Sequence, residues 1–397
     1  MPSPLGMQSL FISPEEFVGV PRTPPRQDLK EDLHRIAEAL SRFDLAELSD
    51  LLLSKGFCDD LAACKFFVIH LLRFFALTAL HSDSMPLPYV CPEVMDRAWR
   101  AVLMVPRLYL RLCHLFLPSR VIAYYPFTSK TRGVEISEYA GMLSKYLVTF
   151  GRQPGTLYWP PGSPANKNRI SGAAALPRRI TASEIGIWTL DTLPLFQTGL
   201  VPSSLGPELR RLSSVIADSD LSHFFFFCYH YQISKRVSPD TCLVEFFRFL
   251  IIKVRKGDIS SSSLLLPPPL VNFTWRTLLL FPQLYIPLCI RLLERDELVE
   301  REDKDRHGNV GDDPAYKRTV EAYTEIFGHA PPVSVWPPVA RSLVVPKPIP
   351  ERIQFTIEDS KRHRYGIKSD SSVLISVVLE QFAGALYLPF KVDLDRS

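Results

Sequence analysis

No phosphate loop of the G-x-x-x-x-G-K type occurs in this sequence, and neither does a G-x-S-x-G nucleophile turn, an H-E-x-x-H zinc helix or a paired-carboxylate signature. Those absences set aside the commonest phosphoryl-transfer, acyl-transfer and metalloprotease chemistries, and no residue presents itself as catalytic, cofactor-binding or metal-ligating. Cysteine is sparse. The seven cysteines (Cys58, Cys64, Cys91, Cys113, Cys228, Cys242 and Cys289) contain no C-x-x-C pair, so they read as reduced core thiols of a cytoplasmic or nuclear protein rather than a disulfide framework. Residues 1–27 carry no basic stretch followed by an apolar one, hence no secretory signal, and their prolines suggest a disordered tail. The most apolar runs, Phe66–Leu80 and Leu243–Val254, are shorter than a membrane span and are broken by His70, Arg73, Glu245 and Arg248. An excess of one charge is also missing: 46 basic residues face 42 acidic ones, and the densest basic cluster, Lys361-Arg362-His363-Arg364, is short. That balance disfavours a nucleic-acid or anionic-lipid surface.

Apolar residues, by contrast, make up 46% of the chain and aromatics 11%, enough to fill two or three cores over 397 residues. The 35 prolines gather in segments that read as linkers. One pattern, W-R-x-x-L-x-x-P-x-L-Y-x-x-L-C, is written twice, at Trp99–Cys113 and at Trp275–Cys289. Around it further matches run in order. Arg73-Phe74 answers Arg248-Phe249, Asp83 answers Asp258, and Tyr139, Tyr146, Phe150-Gly151, Pro154 and Trp159-Pro160-Pro161 answer Tyr316, Tyr323, Phe327-Gly328, Pro331 and Trp336-Pro337-Pro338. An ordered series of this length implies a domain duplication rather than a solenoid of short units.

The periodicities predict a mostly α protein. A tail over 1–27 precedes a first helical module over 28–161, a linker over 162–207, a second helical module over 208–338, a Pro-rich linker over 339–351 and a small α+β piece over 352–397. Leu29, Leu33, Ile36, Leu40 and Phe43 recur at helical spacing behind a capping box at Asp28 and Glu31. Asp44 and Glu47 cap a second helix that Lys55-Gly56 ends, and 61–80 reads as a central buried helix. Proline is tolerated in a first helical turn but not inside a helix, so Pro106 and Pro282 each start a new helix at a corner. Tyr139, Leu143, Tyr146 and Phe150 mark another helix, ended by Gly151. The charged stretch 294–313 reads as a solvated loop. Alternation at Ile353, Phe355 and Ile357 and again at Tyr365 and Ile367 predicts a hairpin, followed by a helix over 373–382 and a last strand within 385–392.

The shared residues sort by chemistry. Trp99, Pro106, Tyr109, Trp275, Pro282 and Tyr285 read as the structural signature, and Cys113 and Cys289 as small buried hydrophobes. His223, Cys228 and His230 lie among aromatics and read as packing rather than metal ligands. Arg73, Arg248, Asp83 and Asp258 are charged residues that both copies share. So are Arg100 and Arg276, which are the candidate contacts for an acidic protein partner.

The Val94–Arg100 and Val271–Arg276 stretches, the Ser/Pro run at 260–269, the later Y-x-x-x-F-G and the terminal Trp together resemble the repeated domain of the glycine-rich domain-containing protein-like family. The resemblance implies a eukaryotic family of poorly defined molecular function. Arg100 and Arg276 stand where that family has a first His, Val102 and Leu278 where it has a second, and its Asp survives only as Asp96. Any metal or proton chemistry of those histidines would be lost here. The family's trailing glycine-rich region is missing too. Residues 352–382 look like the first half of a ubiquitin-like β-grasp, without a Gly-Gly tail, and the stretch beyond Glu351 is too short for a complete fold of that type. The expectation is a non-catalytic interaction adaptor that binds other proteins and needs no cofactor. The alternatives are a divergent enzyme with a site between the modules and a weak lipid or nucleic-acid binder.

Overall fold

The computed structural model describes residues 9–24, 26–81, 91–118, 120–124, 132–160, 200, 206–230, 237–260, 264–301 and 310–339, with the backbone alone for 132–138, 230, 353–358, 364–369 and 393–394. Among them thirteen α-helices carry almost all the regular structure, so the chain is mostly α. The predicted linkers apart from residues 200, 206, 207 and 339, the helix over 373–382 and the strand within 385–392 lie outside the described residues.

The N-terminal segment is not a free tail. Ser13 and Glu16 close a reciprocal capping box over α1 (Pro14–Val18), and Leu10, Ile12 and Phe17 enter the core. Proline-rich composition signals a linker only when nothing apolar nearby can be buried, and here three apolar side chains find a core. Helix α2 (Gln27–Ser41) buries Leu29, Leu33, Ile36, Ala37 and Leu40, as its spacing predicts. The expected capping box at Asp28 and Glu31 does not form, because Asp28 pairs with Arg26 instead. Helix α3 (Ala46–Ser54) begins where Asp44 Oδ1 accepts from Ala46 N at 3.0 Å and from Leu10 N at 3.1 Å, so one carboxylate both starts the helix and pins the N-terminal segment.

Helix α4 (Leu61–Leu80), capped by Asp60, is buried on nearly every face from Cys64 onward. By length and composition it could cross a membrane, but 67% of its apolar window is buried within the fold, so it serves as the core helix of the N-terminal half. Helices α5 (Glu93–Leu103) and α6 (Pro106–Phe116) meet at the predicted proline corner, and α7 (Arg132–Phe150) ends at Gly151 with φ +64°.

The C-terminal half runs through α8 (Pro207–Ala217), α9 (Ser222–His230), the buried α10 (Pro239–Arg255), α11 (Pro269–Leu279), α12 (Pro282–Leu293), a short 3-10 turn and α13 (Pro314–Phe327). Helices α11 and α12 bend by 109° at the second proline corner. The stretch expected to be a solvated loop is partly core: Leu298, Val299 and Glu300 are buried, and Glu300 N donates to Ile259 O at 2.9 Å. Two adjacent apolar residues outweighed the surrounding charge.

The halves touch through matching elements. Helix α6 packs on α12; Arg107 pairs with Glu300 at 3.3 Å, and Gln283 Nε2 donates to Tyr124 O at 3.2 Å. Further on, β1 (Ile353–Glu358) pairs antiparallel with β2 (Arg364–Ser369), Phe355 opposite Ile367, and β3 (Asp393–Leu394) adds antiparallel to the other edge of β1.

Candidate functional site

The signature residues build one bonded unit in each half. Trp99 Nε1 donates to Tyr109 Oη at 3.2 Å, Tyr109 donates to Ile122 O, and Ile122 N donates to Cys113 Sγ at 3.4 Å. Correspondingly, Trp275 Nε1 donates to Tyr285 Oη at 3.1 Å, Tyr285 donates to Val299 O, and the Val299 backbone bonds to Cys289. Tryptophan and tyrosine supply a large apolar body with one polar atom each, and here those polar atoms satisfy each other and a loop carbonyl across the proline corner. Burial pushes the Cys113 thiol up to about 12 and Cys289 to about 11, so both are inert.

A second unit surrounds the arginines of α4 and α10. Arg73 donates from Nε to Phe17 O at 2.6 Å, from Nη2 to Glu16 O at 2.7 Å and from Nη1 to Tyr146 Oη at 3.3 Å. Arg248 donates from Nε to Leu200 O at 3.1 Å and from Nη1 to Tyr323 Oη at 2.8 Å. Each guanidinium also lies over a phenylalanine, Phe150 or Phe327. Both arginines thus satisfy main-chain carbonyls far away in the sequence. The sequence could not name the acceptors, because a carbonyl carries no residue identity. In the C-terminal half the Glu245 carboxylate completes the unit, accepting from Arg248 at 2.9 Å, Trp336 Nε1 at 2.8 Å and Tyr323 Oη at 3.2 Å. Burial pushes the Glu245 carboxyl up from its ordinary value, against the pull of Arg248, Trp336 and Tyr323. Glu245 stands out in the sequence only as an interruption of an apolar run, and an acid inside a buried helix was the available signal.

Asp258 is structural: it pairs with the fully buried Lys253 at 2.7 Å and accepts from Leu264 N and Leu265 N. Its counterpart Asp83 lies outside the described residues. Among the candidate partner contacts, Arg100 is tied down, since Asp96 pairs with it at 2.7 Å and Tyr124 Oη accepts from its Nε at 2.7 Å. Burial opposes the charge, yet Tyr124 and Asp96 hold the guanidinium above the ordinary arginine value. Arg276, on α11, is exposed, as is Arg100 on α5 despite its two partners. Cys228 is buried among the phenylalanines of α9, and the side chain of His230 lies outside what is described.

No protein-family model, curated protein or solved structure matches the chain.

Proposed function

We propose that the chain is a tandem of two homologous helical modules acting as a non-catalytic scaffold for other proteins in the cytoplasm or nucleus. The observation that carries this reading is the recurrence of the same two bonded units on either side of a reciprocal contact. The residue after each corner proline, Arg107 or Gln283, reaches the loop beyond the other half's signature, at Glu300 or Tyr124. An isologous homodimer is joined in this way. The chain is therefore read as a covalent dimer of one module, presenting two related surfaces in a set orientation.

Its most reactive side chains are held by the fold's own groups, whereas apolar side chains stand in water at the exits of both halves. Leu157 is 73% and Phe66 48% exposed in one half, and Val333 is 79% exposed in the other. Such side chains suit a protein partner, and the exposed Arg276 adds a contact for an acidic one. Seven free thiols suit a reducing compartment. The resemblance to the glycine-rich domain-containing protein-like family, and of the C-terminal hairpin to a ubiquitin-like β-grasp, belongs to the same proposal.

The test is affinity purification of the tagged full-length chain from its own cells at physiological salt, followed by mass spectrometry, beside Leu157→Asp, Val333→Asp and Arg276→Glu. Near-stoichiometric partners lost from a folded variant support the reading. A wild-type chain that purifies alone, or a partner set unchanged in all three variants, overturns it.

A further inference from the structure

Counted along the repeat, His70 stands where the C-terminal half has Glu245, Arg152 where it has His329, and Gly155 where it has Pro332. In the C-terminal half the Glu245 carboxylate fills the cage between Arg248, Tyr323 and Trp336. The N-terminal cage keeps all three donors, as Arg73, Tyr146 and Trp159, and adds Arg152. Among the described residues it has no carboxylate. His70 Nδ1, Trp159 Nε1 and Arg152 Nε are each buried without a hydrogen-bond partner. Neither Arg73 nor Arg152 forms an ion pair among the described residues. His70 and Trp159 are 3% and 2% exposed, so solvent does not satisfy them.

Charge explains why histidine does not replace the glutamate: a neutral imidazole offers the guanidiniums no negative charge, and only one of its two nitrogens accepts a hydrogen bond. Buried donors without acceptors are rare because their desolvation is uncompensated, and two guanidiniums facing one cage raise the demand for an anion. An added Cβ on the exposed Gly155 would lie 3.7 Å from His70 Cε1 and 3.9 Å from Nε2, so the imidazole edge sits directly under bare backbone, where the other half has proline. The Arg152 guanidinium is seated on Gly19, where a Cβ would lie 2.3 Å from its Cζ and φ is +73°, so only glycine fits there.

We propose that the N-terminal half binds a small carboxylate, held by Trp159 Nε1, Arg152, Arg73 and Tyr146 in the place Glu245 occupies in the C-terminal half. This rests on the equivalence of the two halves and not on the scaffold reading. The electrostatics agree with it. Burial, then Arg73 and Arg152, pull His70 down to about 4, so the imidazole is neutral at pH 7 and repels no anion as an acid would. Burial also depresses the Arg73 guanidinium, the direction expected of a cation without its counter-ion.

The ligand is either a free carboxylate or an acidic side chain of another protein, and the probes separate the two: sodium formate and N-acetyl-glutamate amide, each against sodium chloride at equal ionic strength. The full-length chain is labelled with 15N at its tryptophan indoles, and the Trp159 signal is assigned by its loss in Trp159→Phe. Saturable movement of the Trp159 indole N–H with formate, or with the glutamate amide, supports the site and identifies its source. His70→Glu, which restores the other half's carboxylate, is expected to shift that signal without ligand and abolish the response, while Arg152→Gln weakens binding about tenfold through loss of one charge-assisted bond. Equal response to formate, glutamate amide and chloride, or no response to any of them, would mean that the cage does not select a carboxylate, and overturns the proposal. So does a His70→Glu chain that folds yet still responds. If that variant does not fold, Arg152→Gln decides: undiminished binding refutes the assignment.

Discussion

Replacing Glu245 by alanine removes the acceptor at the centre of the C-terminal cage. The carboxylate is 2% exposed and takes three donors, one of them the Arg248 guanidinium at 2.9 Å. The charge-assisted bond is worth about 1.5–3 kcal/mol, and the Trp336 indole N–H is then left buried without an acceptor. Arg248 keeps Leu200 O and Tyr323 Oη but loses its carboxylate, so the loss falls in the range for breaking one side of a buried pair, about 3–5 kcal/mol. Glu245→Gln retains an oxygen for Trp336 while discarding the charge, and is expected to cost less, about 1–2 kcal/mol. In an Arg248→Met background Glu245→Ala is expected to cost at least about 1 kcal/mol less than in the wild type. Urea unfolding followed by tryptophan fluorescence and circular dichroism measures all of these chains. If Glu245→Ala lies within about 0.5 kcal/mol of wild type, or glutamine costs as much as alanine, the cage is not held by the charge and the argument fails.

The two signature tyrosines are expected to behave alike. Tyr109→Phe and Tyr285→Phe each orphan a buried indole N–H and a loop carbonyl, for a loss of about 2 kcal/mol apiece in the same unfolding experiment; a difference above about 1 kcal/mol between them would contradict equivalent corners. The two helix-ending glycines are expected to differ. Both have positive φ, but a Cβ at Gly151 would lie 2.1 Å from Thr23 O whereas Gly328 has open space, so Gly328→Ala costs about 1–2 kcal/mol and Gly151→Ala clearly more, read as a larger drop in Tm. Stability is also expected to fall as pH drops from 6.5 to 4. Burial, then the facing Arg73 and Arg152, lower His70 to about 4, and burial, then Lys145 and Arg26 against Asp28, do the same to His81, whose Nε2 meets Thr149 Oγ1 at 3.0 Å. The unfolded chain takes up these protons below 6.5 and the folded chain does not, so each histidine withdraws up to about 3 kcal/mol across that window. His81→Gln should flatten the profile in carboxylate-free buffer, and an unchanged slope would show that His81 is not buried as a neutral ring.

The sequence by itself determined the helices and their breaks. The 3.6-residue spacing marks the buried face of α2, the long apolar run marks α4, and Pro106 and Pro282 start new helices, because these are local consequences of side-chain shape and backbone sterics, although α12 still accommodates Pro287 in its interior. It also made Trp99 with Tyr109, and Trp275 with Tyr285, visible as matched pairs. What only the tertiary structure decided were the partners of main-chain atoms and the fate of segments whose composition misleads. Arg73 reaches carbonyls 56 and 57 residues away, Leu10 and Phe17 leave an apparent tail for the core, and Leu298 with Val299 draws a charged loop inward. None of these carries a periodicity, since burial there depends on a surface assembled from distant helices. The contrast between the Glu245 cage and the His70 cage has the same origin. His70 and Glu245 each look like a polar interruption of an apolar run until the fold places both among an arginine, a tyrosine and a tryptophan, with a carboxylate at the centre in only one case.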